Sequence, residues 1–346
     1  MSSHVLISQH SPESTLSGTT PLLSIIVIIY KMSRQAMNTL LTLSAQYQQN
    51  IDEHSYEVIV VENTSSDNVN PQDVIALGNN YHYFLRQENS VSPVGAINFG
   101  VAQARGQYIG LMIDGASMVT PRVLHYCLLA FHMDDNALIA VPSFNLGPKE
   151  QHYHVSNGYD EKIEQQLLAN CDWQENGYNL YAISSIGGAI PFGYFHPMME
   201  SNCLFVAKKH FLAIGGADVR FQLPGGGAVN LHIYRSLGLL PTIRLIILPG
   251  EASFHQFHGG VTTAEKDDRE DILKAQHEQL QTVWSHEFHS LRREPMLFGA
   301  VTAQAIPFLQ YSCEMATKRF NRFAKNNDNP WPDDSVNSVQ NQQTST

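Results

Sequence analysis

The chain has 346 residues, enough to bury a sizeable core in one large or two modest domains. Its 43% hydrophobic and 15% charged residues describe a soluble globular protein and argue against a disordered one. A formal charge of −11 argues against non-specific nucleic-acid binding, and no run reaches the roughly 20 apolar residues of a membrane helix.

Residues 1–20 are rich in Ser and Thr, lack periodicity and read as a disordered tail, with no basic-then-apolar leader pattern. A β-branched run at 23–30 reads as a buried strand, followed by a helix at 33–49. Strands are expected at 56–62, 81–86, 108–114 and 137–143, with helices near 71–77, 93–105 and 121–133. Ser33, Ser92 and Thr120 suit N-caps, and Pro93 and Pro121 suit first helical turns. This alternation predicts an α/β fold with a mostly parallel, doubly wound sheet flanked by helices.

The second half is less regular. Residues 144–199 hold Gly, Pro and Asn, one helical patch at 162–170, and the aromatics Tyr153, Tyr159, Trp173, Tyr178, Tyr181, Phe192, Tyr194 and Phe195. Such a stretch reads as a functional loop or lid, its aromatics mostly anchors and one or two of them acceptor contacts. Strands follow at 202–207 and 242–248, then long helices at 265–288 and 298–323. The domain expectation is a catalytic unit at 21–262, a C-terminal helical extension at 263–324 and a disordered tail at 325–346. Arg292, Arg293, Lys318, Arg319, Arg322 and Lys325 make the extension locally basic, which reads as a solvated face. A homodimer contact or a membrane surface is the alternative for those helices.

Cys127, Cys171, Cys203 and Cys313 form no CxxC pair and read as free thiols of a cytoplasmic protein. Sixteen histidines invite a search for a ligand.

Polar residues close several strand ends: Tyr30 the first, Glu62 the second and Asp114 the fourth. In an open α/β sheet, ligands gather at these carboxyl ends. Asp114 alone reads equally as a turn cap or as a ligand for metal, ribose or phosphate.

Five segments together resemble the GT-A glycosyltransferases of family 2. They are 23–30 (LSIIVIIY), 56–65 (YEVIVVENTS), 95–109 (GAINFGVAQARGQYI), Asp114-Gly115-Ala116 at the position of a DxD motif, and 215–221 (GGADVRF). The resemblance implies transfer of a sugar from a nucleotide-diphosphate donor, a UDP-sugar foremost, to the hydroxyl of a glycan, lipid or small molecule. It implies inversion and assistance from a divalent cation, Mn²⁺ or Mg²⁺. Tyr30 and Glu62 would line the base and ribose pocket, Asn98 would lie near the donor, and Asp114 would face ribose or metal.

Two departures accompany it. The last DxD carboxylate is Ala116, and His258, or His255 three residues earlier, is the expected replacement metal ligand. Gly259 and Gly260 would then let backbone approach the diphosphate. Residues 223–235, where the family's base is expected, hold no carboxylate. His232 and Asp218 are the candidate bases, with Glu200 as a third option. The competing functional readings are nucleotidyl transfer, disfavoured because 30–34 lacks glycines, and a nucleotide-sugar-binding protein that has lost catalysis.

Overall fold

A computed structural model describes residues 20–88, 90–148, 158–196, 198–258, 266–285, 291 and 293–326. Residues 1–19 and 327–346, Tyr153, Gly259, Gly260 and Arg292 lie outside these residues, and the last helix carries the chain through Lys325 to Asn326, past the expected start of the C-terminal tail.

The strands, in chain order, are β1 Leu23–Ile29, β2 Tyr56–Asn63, β3 Tyr81–Arg86, β4 Tyr108–Met112, β5 Ser117–Val119, β6 Ala137–Ala140, β7 Ser143–Leu146, β8 Ser184–Ile186, β9 Cys203–Ala207, β10 Arg244–Ile247, β11 Ser253–His255 and β12 Met296–Leu297. The helices are α1 Ser33–Thr42, α2 Pro71–Ile75, α3 Val94–Gln103, α4 Val123–Met133, α5 Glu161–Ala169, α6 Lys208–Ala213, α7 Val229–Gly238, α8 Lys266–Trp284 and α9 Ile306–Asn326.

Eight strands form the central sheet in the order β12-β10-β6-β9-β4-β1-β2-β3. Every pair is parallel except those of β9, which runs antiparallel to β4 and β6. All residues of β1 and β2 are buried, as strands covered on both faces must be. Ile25, Ile26, Val27 and Ile29 have no exposed surface, each contributing about 1.5–3 kcal/mol of apolar burial. Helix α3 packs over β1 and β2; a Cβ at its Gly100 would lie 2.5 Å from the Ile26 side chain. The architecture is therefore α/β, a mostly parallel sheet flanked by helices with helices at the C-terminal end.

A second sheet, β5-β11-β7-β8, lies beyond the carboxyl end of β4. Strand β11 pairs antiparallel with β5, His255 opposite Ser117, and parallel with β7. This pairing positions the site.

The structure corrects several element boundaries. Helix α1 stops at Thr42 rather than 49, because the Gln48 amide turns back and donates to the Thr42 carbonyl. The first expected cap is displaced: Met32 occupies the N-cap and the Ser33 hydroxyl donates to Asp67. Helix α4 begins at Val123 with Arg122 as its N-cap, since the Thr120 hydroxyl is committed to Glu251 at 2.6 Å. Pro93 takes the N-cap of α3, although the Ser92 hydroxyl still accepts the Val94 N–H. The run 137–143 splits between the two sheets at Pro142, which has no N–H for a ladder. Residues 296–297, ahead of the last helix, join the central sheet through β10, so α9 starts only at Ile306.

Candidate active site

Strand β4 ends at Met112, and Asp114 stands in the turn that leads to β5. Gly115 is required there by close approach: a Cβ would sit 2.6 Å from the Ile28 carbonyl oxygen. Asp114 uses its two oxygens differently. Oδ1 accepts the Ala116 N–H at 2.9 Å, an Asx-type cap. Oδ2 lies 2.8 Å from Nε2 of His255 and 3.4 Å from Nε2 of His258. The two imidazole Nε2 atoms are 3.2 Å apart. The carboxylate and both rings thus converge within 4.8 Å of one another. The pairing of β11 with β5 delivers His255 to this point, and His258 follows one short turn later.

Electrostatics favour the charged forms of Asp114 and His258. Burial opposes ionisation of Asp114, yet His258 and His255 hold its carboxyl well below the usual range. Burial likewise opposes charge on His258, and the Asp114 carboxylate overcomes it, raising that imidazole above its ordinary value.

A frame of side chains fixes the histidine loop. Glu164 of α5 accepts the Phe257 N–H at 2.6 Å and pairs with Arg34 of α1. The Gln35 amide donates to the Phe257 carbonyl at 2.7 Å, and the Gln256 N–H donates to the Ala116 carbonyl at 2.8 Å. The long region 144–199 contributes here through α5. It also holds β7, β8 and a 3-10 turn at Gly177–Ile183, with Tyr159, Trp173, Tyr178, Tyr181 and Tyr194 buried and Phe192 exposed.

Comparison with protein families places the model described as glycosyl transferase family 2 on residues 24–199. The chain belongs to that family. Comparison with curated proteins gives no match. Among solved structures the chain resembles S. aureus TarS, at 13% identity and a TM-score of 0.47, over 75% of this chain and 39% of TarS. It resembles TarS 1–349 in complex with UDP at 12% identity and a TM-score of 0.46, over 86% and 72% of the two chains. It also resembles the mannosyltransferase PcManGT from Pyrobaculum calidifontis, in complex with GDP-Man and Mn²⁺. That match has 13% identity and a TM-score of 0.48, over 89% and 76%. The chain spans about two-fifths of the length of the first of these TarS structures.

In this family 2 member, Ala116 is buried in the apolar cluster beneath the sheet, so the missing second carboxylate leaves a packed position. Tyr30 directly follows β1, half-buried, with the Lys31 ammonium 5.3 Å from its ring centre. Glu62 has no exposed surface; its carboxylate accepts the Val69 N–H and the Tyr83 hydroxyl, the latter at 2.6 Å. Burial raises its pKa, against these hydrogen bonds. Its carboxylate therefore secures the loop after β2. Asn98 clamps the Gly215–Asp218 turn, donating to the Ala217 carbonyl at 2.8 Å and accepting its N–H at 2.9 Å. Gly216, at φ +77°, has room for no side chain beside that amide.

The two candidate bases come together, but each is engaged. Asp218 accepts from the Arg220 backbone and guanidinium, which hold its carboxyl below the ordinary value. His232 Nε2 lies 3.9 Å from Asp218, while its Nδ1 accepts the Trp284 indole N–H at 2.8 Å. That bond occupies the lone pair a base would use, and burial lowers the pKa of the ring. Glu200 is half-buried, just ahead of β9, and hydrogen-bonds Asn230 of α7. Sequence reasoning had no signal for that pair, because 30 positions separate its members. The four cysteines are free thiols. Among the described residues no helix is long and apolar enough to cross a membrane.

Proposed function

We propose that the chain transfers a glycosyl group, with inversion, from a nucleoside-diphosphate sugar to an acceptor hydroxyl. The observation that carries this reading is the convergence of Asp114, His255 and His258 at the carboxyl end of β4. The residues fit a divalent cation: an ionised carboxylate oxygen and two imidazole nitrogens converge within 4.8 Å of one another. Two nitrogen donors favour Mn²⁺ over Mg²⁺, which prefers an all-oxygen shell. When bound, the cation supplies charge neutralisation for the departing diphosphate.

The remaining roles belong to the protein. Tyr30 offers a ring at the β1 end for the nucleobase. Glu62 and Asn98 shape the neighbouring loops through the Val69 and Ala217 backbone. Arg34, Gln35 and Glu164 hold the histidine loop through the Phe257 backbone. UDP is the expected nucleotide; the acceptor is a hydroxyl of a glycan, lipid or small molecule.

The test is calorimetric titration of UDP and GDP with and without Mn²⁺, combined with nucleotide release from UDP-, GDP- and dTDP-sugars. Mn²⁺-dependent binding and slow donor hydrolysis, both lost in Asp114→Ala, are the expected result. Binding independent of metal, with no release from any donor, supports instead a nucleotide-sugar-binding protein without catalysis.

A further inference from the structure

The transfer proposed above, on which this inference rests, needs a group to take the acceptor's hydroxyl proton. Among the described residues the fully buried glutamates are all held by several donors. Glu57 accepts from Ser24 and Arg105. Glu62 accepts from Val69 and Tyr83. Glu164 accepts from Phe257 and Arg34. Glu251 accepts from Thr120 and Tyr178. Each such carboxylate is spent on holding structure.

Glu200 differs. The Asn230 amide donates to its Oε2, and among the described residues no cation or second donor meets it. The orientation of that amide is determined: Asn230 Oδ1 accepts the Leu231 N–H at 3.0 Å, so Nδ2 must face Glu200. Its Nδ2 also meets Asn202 Oδ1 at 3.1 Å. The chain just after Glu200 runs against the end of β4 that leads to Asp114. The Ile113 N–H, one residue before Asp114, donates to the Asn202 carbonyl at 3.3 Å, and Met112 pairs with Cys203.

The geometry points to Glu200 as the general base for the acceptor, with Asn230 as its positioning residue. The acceptor O–H bond breaks and its proton passes to the free Glu200 oxygen. The hydroxyl oxygen forms the new bond to the anomeric carbon. The bond from that carbon to the diphosphate breaks, and its electron pair leaves with the nucleoside diphosphate. Burial pushes the Glu200 carboxyl up to about 7, with the Asn230 hydrogen bond pulling the other way. A base of that strength is part-ionised at neutral pH and still holds a proton well.

Water serves as the acceptor in the test, which follows hydrolysis of the panel sugar the wild type turns over, with Mn²⁺ present. Glu200→Gln should lower kcat by about 10²–10⁴-fold and leave the donor KM and Mn²⁺-dependent nucleotide binding unchanged. Azide needs no deprotonation, so it should restore turnover to Glu200→Ala as the glycosyl azide. Asn230→Ala should move the acidic limb of the wild-type kcat profile to higher pH. Wild-type kcat in Glu200→Gln, or no azide rescue of Glu200→Ala, overturns the assignment alone. Failure of the wild type to release nucleotide from any donor overturns the transferase reading and this assignment with it.

Discussion

Asp114 and His255, 141 positions apart in the chain, meet at 2.8 Å because β11 pairs antiparallel with β5. The same strand pairing sets His258 at 3.4 Å from the same oxygen. Asp114 also caps its own turn through Ala116, so one oxygen serves the turn while the other faces the two histidines. A carboxylate already immobilised by the fold has little further conformational freedom to lose when a cation binds.

Removing either histidine should weaken Mn²⁺ binding. His255→Ala and His258→Ala each leave two of the three converging atoms. Each should lose about 10- to 100-fold in Mn²⁺ affinity by calorimetry, by analogy with lost supporting contacts. Unchanged affinity in both variants would sink the three-residue site.

The frame behind the histidines should matter without touching the cation. Glu164→Gln keeps the size of the side chain but loses the charge that pairs with Arg34 and strengthens the Phe257 hydrogen bond. Mn²⁺ affinity should fall by about 10-fold, with a circular dichroism spectrum like that of the wild type. Equal affinity would show that the loop holds its shape by other means.

Asn98 should act on stability. Asn98→Ala removes both hydrogen bonds to Ala217 and strands its backbone groups. The expected loss is about 1–3 kcal/mol, read as a lower urea midpoint with an unchanged slope. Full stability in this variant would mean that the Gly215–Asp218 turn is held elsewhere.

Glu57 should make the fold acid-sensitive. Burial opposes its charge, but hydrogen bonds from His82, Ser24 and Arg105 lower its pKa from 4.5 to about 2. A depressed folded pKa stabilises the protein above the unfolded value, and that contribution disappears as pH falls from about 4.5 towards 2. It is worth roughly 3 kcal/mol. Unfolding free energies of the wild type and Glu57→Gln should therefore converge as the pH falls through that window. Parallel curves would contradict it.

The main strands were legible because buried parallel strands need apolar runs, and 25–29, 58–61 and 108–113 supply them locally. Asp114 stood out for the same reason, as a carboxylate closing such a run. The helix starts were less legible: Ser33 and Thr120 carry capping chemistry, but Asp67 and Glu251, distant in sequence, take their hydroxyls. Glu62 and Asn98 likewise occupy the expected strand-end and helix positions, while tertiary partners turn their polar atoms toward neighbouring backbone.

By itself the sequence determined the α/β layering, the family pattern and the place of Asp114, all of which depend on neighbours within a few residues. Only the tertiary structure decided that both His255 and His258 reach Asp114, that Trp284 occupies His232, and that Asn230 holds Glu200. Those partnerships depend on strand register and helix packing across tens of residues, where a shift of one position would turn each side chain to another face.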